Sequence, residues 1–294
     1  MATSTLKASQ PITEGINFQK FMVRGTIYGL LVLVGLVFLL PIYMTTVTAL
    51  KPRAETTLNT AWDLPDGLYL ENFERAYDQL KNNLGNSVVE VIMATTISAV
   101  MGSINGYVLS KWHVPGERFL FPLMLFGMFL PYQAILIPLF EFMSSINIFG
   151  YRLYGGIPGL VLIHVVYGLP ITTLIFRNFY IEIPDEMLEA AAIDGAGFWS
   201  LYTEVVFPLS LPGFVVVIIW QFTQIWNDFL FAIFMTTEAN NPITVPLAEL
   251  SGGEAVDYNL TMAGAILAAL PPLFVYIVAG RYFIRGLLAG SIKG

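Results

Sequence analysis

The chain has 294 residues, 56% of them hydrophobic and 12% charged, roughly half the charged share of a soluble domain. So little charge cannot clothe a water-facing surface, so lipid must solvate much of the chain. The net charge of −7 comes without a basic stripe, which argues against nucleic acid. With no Cys and only His113 and His164, a disulfide framework, a thiolate site or a histidine-built metal centre is not expected either.

The chain opens on a short arm, residues 1–23, read as lying on the cytoplasmic side, on the membrane or clasping a partner. Six apolar stretches then reach the roughly 20 residues that cross a bilayer core: 25–50, 86–110, 119–143, 156–179, 211–236 and 259–284. The first exceeds a signal-peptide core and no small-residue cleavage site follows, so it reads as a retained span. Pro131, Pro138, Pro170, Pro271 and Pro272 fall inside spans and are expected to kink helices that line a cavity. Residues 51–84 read as a polar, partly amphipathic stretch holding a small helix. Residues 237–258 read as a solvated loop, given play by Gly252 and Gly253.

Lys and Arg near span ends set orientation. With the N-terminus inside, the inner segments hold Lys7, Lys20, Arg24, Lys111, Arg118, Arg177, Arg281, Arg285 and Lys293. The outer ones hold Lys51, Arg53, Arg75, Lys81 and Arg152. The bias puts both termini in the cytoplasm. One segment resists it: the connection between spans four and five is acidic.

That connection, 181–209, has internal order. Pro184 suits a first helical position, and Asp185, Glu186 and Glu189 favour a helix N-terminus through the dipole. Ala190, Ala191 and Ala192 continue the helix with a low profile. Asp194-Gly195 breaks it, Gly supplying a left-handed residue. A second short helix is expected over 198–206, ending before Pro208. The product is a helix–turn–helix on the cytoplasmic face.

Glu189-Ala190-Ala191, then Gly195, then Val205-x-Phe207-Pro208 resembles the EAA loop of ABC importer permeases, with Phe207 where Leu is usual. The resemblance implies that the helix around Ala191–Gly195 sits in a groove on a separate ATPase subunit, where Glu186, Glu189 and Asp194 meet basic residues and Ala196 and Pro208 complete the motif. Ala49-Leu50-Lys51-Pro52, Asn86-Ser87 and the tail from Arg285 to Gly294 are similar to permeases of carbohydrate importers of the maltose and glycerol-phosphate type. Asn105–Trp112 and Trp220–Phe229 resemble members importing glucose, mannose or small glucosides. The family implies a second, homologous permease, an ATPase dimer that carries ATP and magnesium, and an extracytoplasmic sugar-binding protein approached by the 237–258 loop. No cofactor is implied for this chain.

Independently, span five mixes aromatic and amide groups as sugar sites do. Gln221, Gln224 and Asp228 share a helix face, flanked by Trp220, Trp226 and Asn227. Tryptophans also form interfacial belts and amides also bond helices together, so both readings stand. Asp228 is an ionisable group in or near a span, a costly placement. Glu90 and Glu141 read as span-end residues reached by water, and His164 as a neutral histidine bonded across helices.

No G-x-x-x-x-G-K-[ST] occurs, so ATP hydrolysis belongs to another polypeptide. No nucleophile elbow, histidine cluster or metal motif suggests a membrane enzyme. The rival reading is an ion-coupled secondary transporter, which predicts inverted repeats and midplane ionisable groups; no repeat is visible. The expected fold is all-α: six membrane helices in one domain over 24–294.

Overall fold

The computed structural model describes residues 18–57, 59–148, 150–252 and 256–289. Its helices are α1 (Phe18–Ala49), α2 (Glu71–Lys111), α3 (Glu117–Phe126), α4 (Tyr132–Ser145), α5 (Ile157–Ile181), α6 (Asp185–Ile193), α7 (Phe198–Ser200), α8 (Phe207–Leu209), α9 (Leu211–Trp226), α10 (Leu230–Met235), α11 (Thr244–Ser251) and α12 (Tyr258–Ala289). A two-residue antiparallel hairpin, β1 (Asn147–Ile148) and β2 (Tyr151–Arg152), is the only sheet among them. Most of the proposed arm, 1–17, and the tail 290–294 lie outside the described residues.

Four continuous helices are long and apolar enough to cross a membrane. Six segments are, if Glu117–Ser145 and Phe198–Trp226, bent by 100° and 75°, each count once. The bend in the first has a local cause. Pro131 offers no N–H and disfavours helical backbone before it, and Leu130 accordingly sits at φ −71°, ψ 123°. The span 119–143, expected to kink at Pro131, is therefore broken there into two half-helices. The fifth span is interrupted as well, between Trp226 and Leu230.

α2 and α5 form the centre, brought together by small residues. A Cβ added to Gly106 would lie 2.8 Å from the backbone N of Arg177 and from Phe176 Cβ, and one on Gly102 would collide with Thr172. With no hydrophobic drive between helices in lipid, such close backbone approach is what holds them. α9 and α12 pack around this pair.

Two expectations for the polar segments are corrected. Beyond a single 3₁₀ turn at Arg53–Glu55, the described residues of the stretch 51–84 hold no separate small helix. From Glu71 it is helical and continuous with the second span, with Asn72, Ala76 and Leu80 buried. Gly85 stands at the join, but no proline does, and the helix runs through it. The 237–258 connection is not simply a solvated loop: α11 packs into the bundle, Ile243 and Val245 are buried, and the Ile243 N–H donates to Ser87 Oγ at 2.8 Å. Gly253 lies outside the described residues.

α1 joins the bundle only at its end. Its terminal carbonyls, left without helical partners, accept from two buried amides. Asn72 Nδ2 donates to Ala49 O and Lys51 O, and Asn259 Nδ2 to Thr48 O and Lys51 O, at 2.8–2.9 Å. Lys51, read above as an outer-segment cation, is itself 2% exposed, its ammonium on Thr60 O at 2.6 Å.

Candidate functional site

Two regions collect the residues singled out above, one beside the middle of α2 and one at its C-terminal end.

The first is a cleft of about 480 Å³ at the break after α9. α9 brings Trp220, Gln221 and Gln224 to it, the break brings Asn227 and Asp228, and α5 contributes His164 and Tyr167. All five expected substrate-path residues therefore line one cavity. Trp220 is 42% exposed and Gln221 3%. Trp226 turns the other way: its indole N–H donates to Ala268 O at 3.1 Å and its ring stacks on Phe222. It is glue between α9 and α12.

The break explains why Asp228 is tolerated. Its carboxylate caps α10, accepting from the N–H groups of Phe231 at 3.3 Å and Ala232 at 3.0 Å, which lack helical partners. Its carbonyl accepts from Thr244 at 2.6 Å, pinning α11 to the same point. Asn227 folds back on Thr223 O at 2.8 Å.

Behind Asp228 lies a cluster the sequence did not suggest. His164 Nε2 is 3.1 Å from Glu90 Oε1 and 3.7 Å from Asp228 Oδ2, with Phe231 edge-on to the imidazole. The Glu90 approach is close but not a well-angled hydrogen bond, and both atoms are left without a partner. Glu90 is 1% exposed, which overturns its reading as a water-reached span end. The reason is that α2 starts at Glu71, so Glu90 sits mid-helix against α5. Glu141 does lie exposed. Among the described residues, no three His, Asp or Glu could hold a metal ion.

The second region is the connection after α5. α6 starts after Pro184, and Gly195 at φ +91° ends it. The Ala196 N–H bonds Ala191 O and the Gly195 N–H bonds Ala192 O, each at 3.0 Å, the double closure that a left-handed residue permits. Glu186, Glu189, Ala190, Asp194 and Gly195 are exposed, whereas Ala191 and Ala196 are half-buried against the bundle. Ile193, not singled out from sequence, projects from the turn at 87% exposure. Lys111 at the end of α2 holds the start of α6 through Asp185 at 2.7 Å and Ile183 O.

The second helix differs from expectation. After α7 the chain widens into a π-helical turn, Leu201–Val206, in which the Phe207 N–H reaches back to Tyr202 O, and it runs through Pro208 into α8. Pro208 has no N–H to give the ordinary helical bond, and a widened turn before it absorbs the defect. Beneath it, Ser103 Oγ is within hydrogen-bond reach of the hydroxyls of Tyr202 (2.8 Å) and Tyr180, and Tyr180 OH donates to Ser210 Oγ at 3.3 Å. Tyr107 and Phe198 pack beside them. No motif announces this chain of hydroxyls, which needs four separate segments to be placed.

Residues 94–288 match the family described as binding-protein-dependent transport system inner membrane component. The chain belongs to that family. Its members are transport subunits, so this permease is a membrane protein and not an enzyme. It is 33% identical over 297 residues to the xylose/arabinose import permease protein XacI of Haloferax volcanii, covering 94% of each chain. A probable ABC transporter permease protein of Pyrococcus horikoshii is 52% identical over 179 residues, which span 60% of this permease and 63% of that protein. In fold it is similar to a chain of a bacterial ABC transporter involved in import of the acidic polysaccharide alginate, with a TM-score of 0.76 at 19% identity, over 93% of this permease and 100% of that chain.

Proposed function

We propose that this permease is one transmembrane subunit of an ATP-driven sugar importer, and that it takes up a mono- or small oligosaccharide or glucoside. The observation that carries the reading is the cleft, where Trp220, Gln221, Gln224, Asn227 and Asp228 converge. An aromatic face with amides and a carboxylate suits a ring that is apolar on its faces and hydroxylated at its edge. The relation to a xylose/arabinose import permease supports it.

The α6 connection is the ATPase-docking surface and faces the cytoplasm, as do both termini. Glu186, Glu189 and Asp194 form an acidic rim around the low Ala190–Ala191 face, and Ile193 is the apolar knob that enters a groove on the ATPase. ATP and magnesium stay on the ATPase dimer. A second, homologous permease closes the other side of the sugar path, and an extracytoplasmic binding protein delivers sugar at the α11 end. Closure of the ATPases moves α6 and shifts the helices between two packings, so the cleft opens alternately to either side.

The test is ATPase stimulation of the reconstituted complex, with its binding protein, across a sugar panel. Stimulation by one sugar class, abolished by Gly195→Val, is expected. At φ +91° a side chain is strained by about 1 kcal/mol or more although the space around it is open, so the variant perturbs the turn and not the packing. Sugar-independent ATPase with an unaltered variant would overturn the reading.

A further inference from the structure

Resting on the sugar-importer reading, we propose that the cleft admits uncharged sugars and that Glu90, His164 and Asp228 together make it reject anionic ones, such as uronates and sugar phosphates. Three observations converge. Among the described residues no lysine or arginine lines the cleft, and its one basic side chain, His164, already stands between two carboxylates. Asp228 faces it, with its side chain 13% exposed, and Glu90 stands behind the shared imidazole at 2%. Two carboxylates against one imidazole put acidic groups in excess of basic ones, in surroundings that screen charge poorly.

The third observation is a donor without a partner. Gln221 is 3% exposed and lines the cleft, yet its Nε2 makes no hydrogen bond. Its amide is pressed against the bare Cα of Gly168, where a Cβ would collide with it. A buried amide N–H left unpaired is costly; Nε2 is sealed against Gly168, so a ligand oxygen relieves it once the amide turns toward the cleft. The pairing of Gln221 as donor with Asp228 as acceptor selects the ligand's chemistry. A hydroxyl accepts from the first and donates to the second. A carboxylate or phosphate only accepts, so it can serve Gln221 only while facing the Asp228 charge. Like charges at this range in a protein interior cost a factor of ten or more in affinity.

Equilibrium dialysis of the purified permease–ATPase complex, without binding protein, isolates this cleft from the selectivity of the delivery step. For a glucose-responsive complex the probes are glucose, glucuronate and glucosamine; for any other sugar, its own uronate and amino derivative. Glucose and glucosamine should bind and glucuronate should compete at least tenfold more weakly. The near-isosteric Asp228→Asn and Glu90→Gln should each narrow that gap several-fold. Glucuronate competing as well as glucose, an unchanged gap in both variants, or no binding of any probe would overturn the proposal. The uptake assay separates the two readings: sugar-stimulated ATPase alongside any of those results leaves the importer standing and removes only the charge filter. Absence of stimulation by every sugar removes the importer reading itself.

Discussion

The middle and the C-terminal end of α2 solve the same problem, polar groups inside an apolar bundle, in opposite ways. Around the cleft the polar groups include ionisable ones and are incompletely bonded: Glu90, His164 and Asp228 cluster, and Gln221 and Ser98 lack partners. Beneath the π-helical turn, apart from the Lys111–Asp185 pair, they are neutral and joined end to end, Tyr202 and Tyr180 through Ser103 and on to Ser210. Unsatisfied charge suits a place where a ligand comes and goes, because arrival completes it. A satisfied neutral chain suits a place that must move as one piece, since no charge is exposed when it shifts.

Variants can break this contrast. The largest effect is expected from His164→Leu, which leaves two carboxylates facing each other in the bundle. Breaking a buried ionic cluster costs roughly 3–5 kcal/mol, and the folded yield and melting temperature in detergent should fall sharply. Recovery of stability on adding Glu90→Gln would show that charge and not shape is responsible. Next comes Gly106→Ala. Its Cβ would press on the backbone of α5, and overpacking of this kind costs about 1–3 kcal/mol, read as a lower melting temperature with sugar specificity unchanged.

At the α6 end, Tyr180→Phe removes a hydroxyl from the neutral chain at a cost of about 1 kcal/mol. The stability change should be small but the coupling ratio of sugar moved per ATP should drop. An unaltered ratio would mean that the hydroxyl chain only packs. The smallest effect concerns the exposed end of the α2–α12 contact, where Arg75 meets Asp257 at 3.0 Å. Partial burial pushes the Asp257 carboxyl up, but the Leu260 N–H and the nearby Arg75 and Arg53 outweigh it and hold it below the usual carboxylate range. Because its value is depressed in the folded state, its contribution is whole above the ordinary carboxylate range and is lost as pH falls through the folded value. Melting of Asp257→Asn and the parent chain should therefore differ at neutral pH, by well under 1 kcal/mol for so exposed a pair, and converge in acid.

What could be read from the sequence followed the range of the interactions. The α6 turn was legible to the residue, since Ala191, Ala192, Gly195 and Ala196 make it among themselves. The cleft was half legible: helical spacing put Gln221, Gln224 and Asp228 together, but the partners of Asp228 come from α5, α10 and α11, with Glu90 of α2 behind His164. Glu90 was misplaced because the start of α2 was set where hydropathy rises, whereas the helix begins 15 residues earlier on polar sequence stabilised by Asn72 and Leu80. A signal was present: Glu90 and His164 are isolated ionisable groups in apolar runs, and each is costly enough to call for the other.

The mooring of α1 has a consequence of its own. Every described residue from 22 to 43 is exposed, while Val47 and Ala49 are buried and the carbonyls of residues 48, 49 and 51 are held by Asn72 and Asn259. The helix stands like a mast stepped at its foot: the foot belongs to the hull, and the shaft is free to be rigged to whatever stands alongside. A swap of the apolar sequence from 22 to 43 would leave the interior of the bundle untouched and alter only its outward dealings with lipid or a neighbouring subunit.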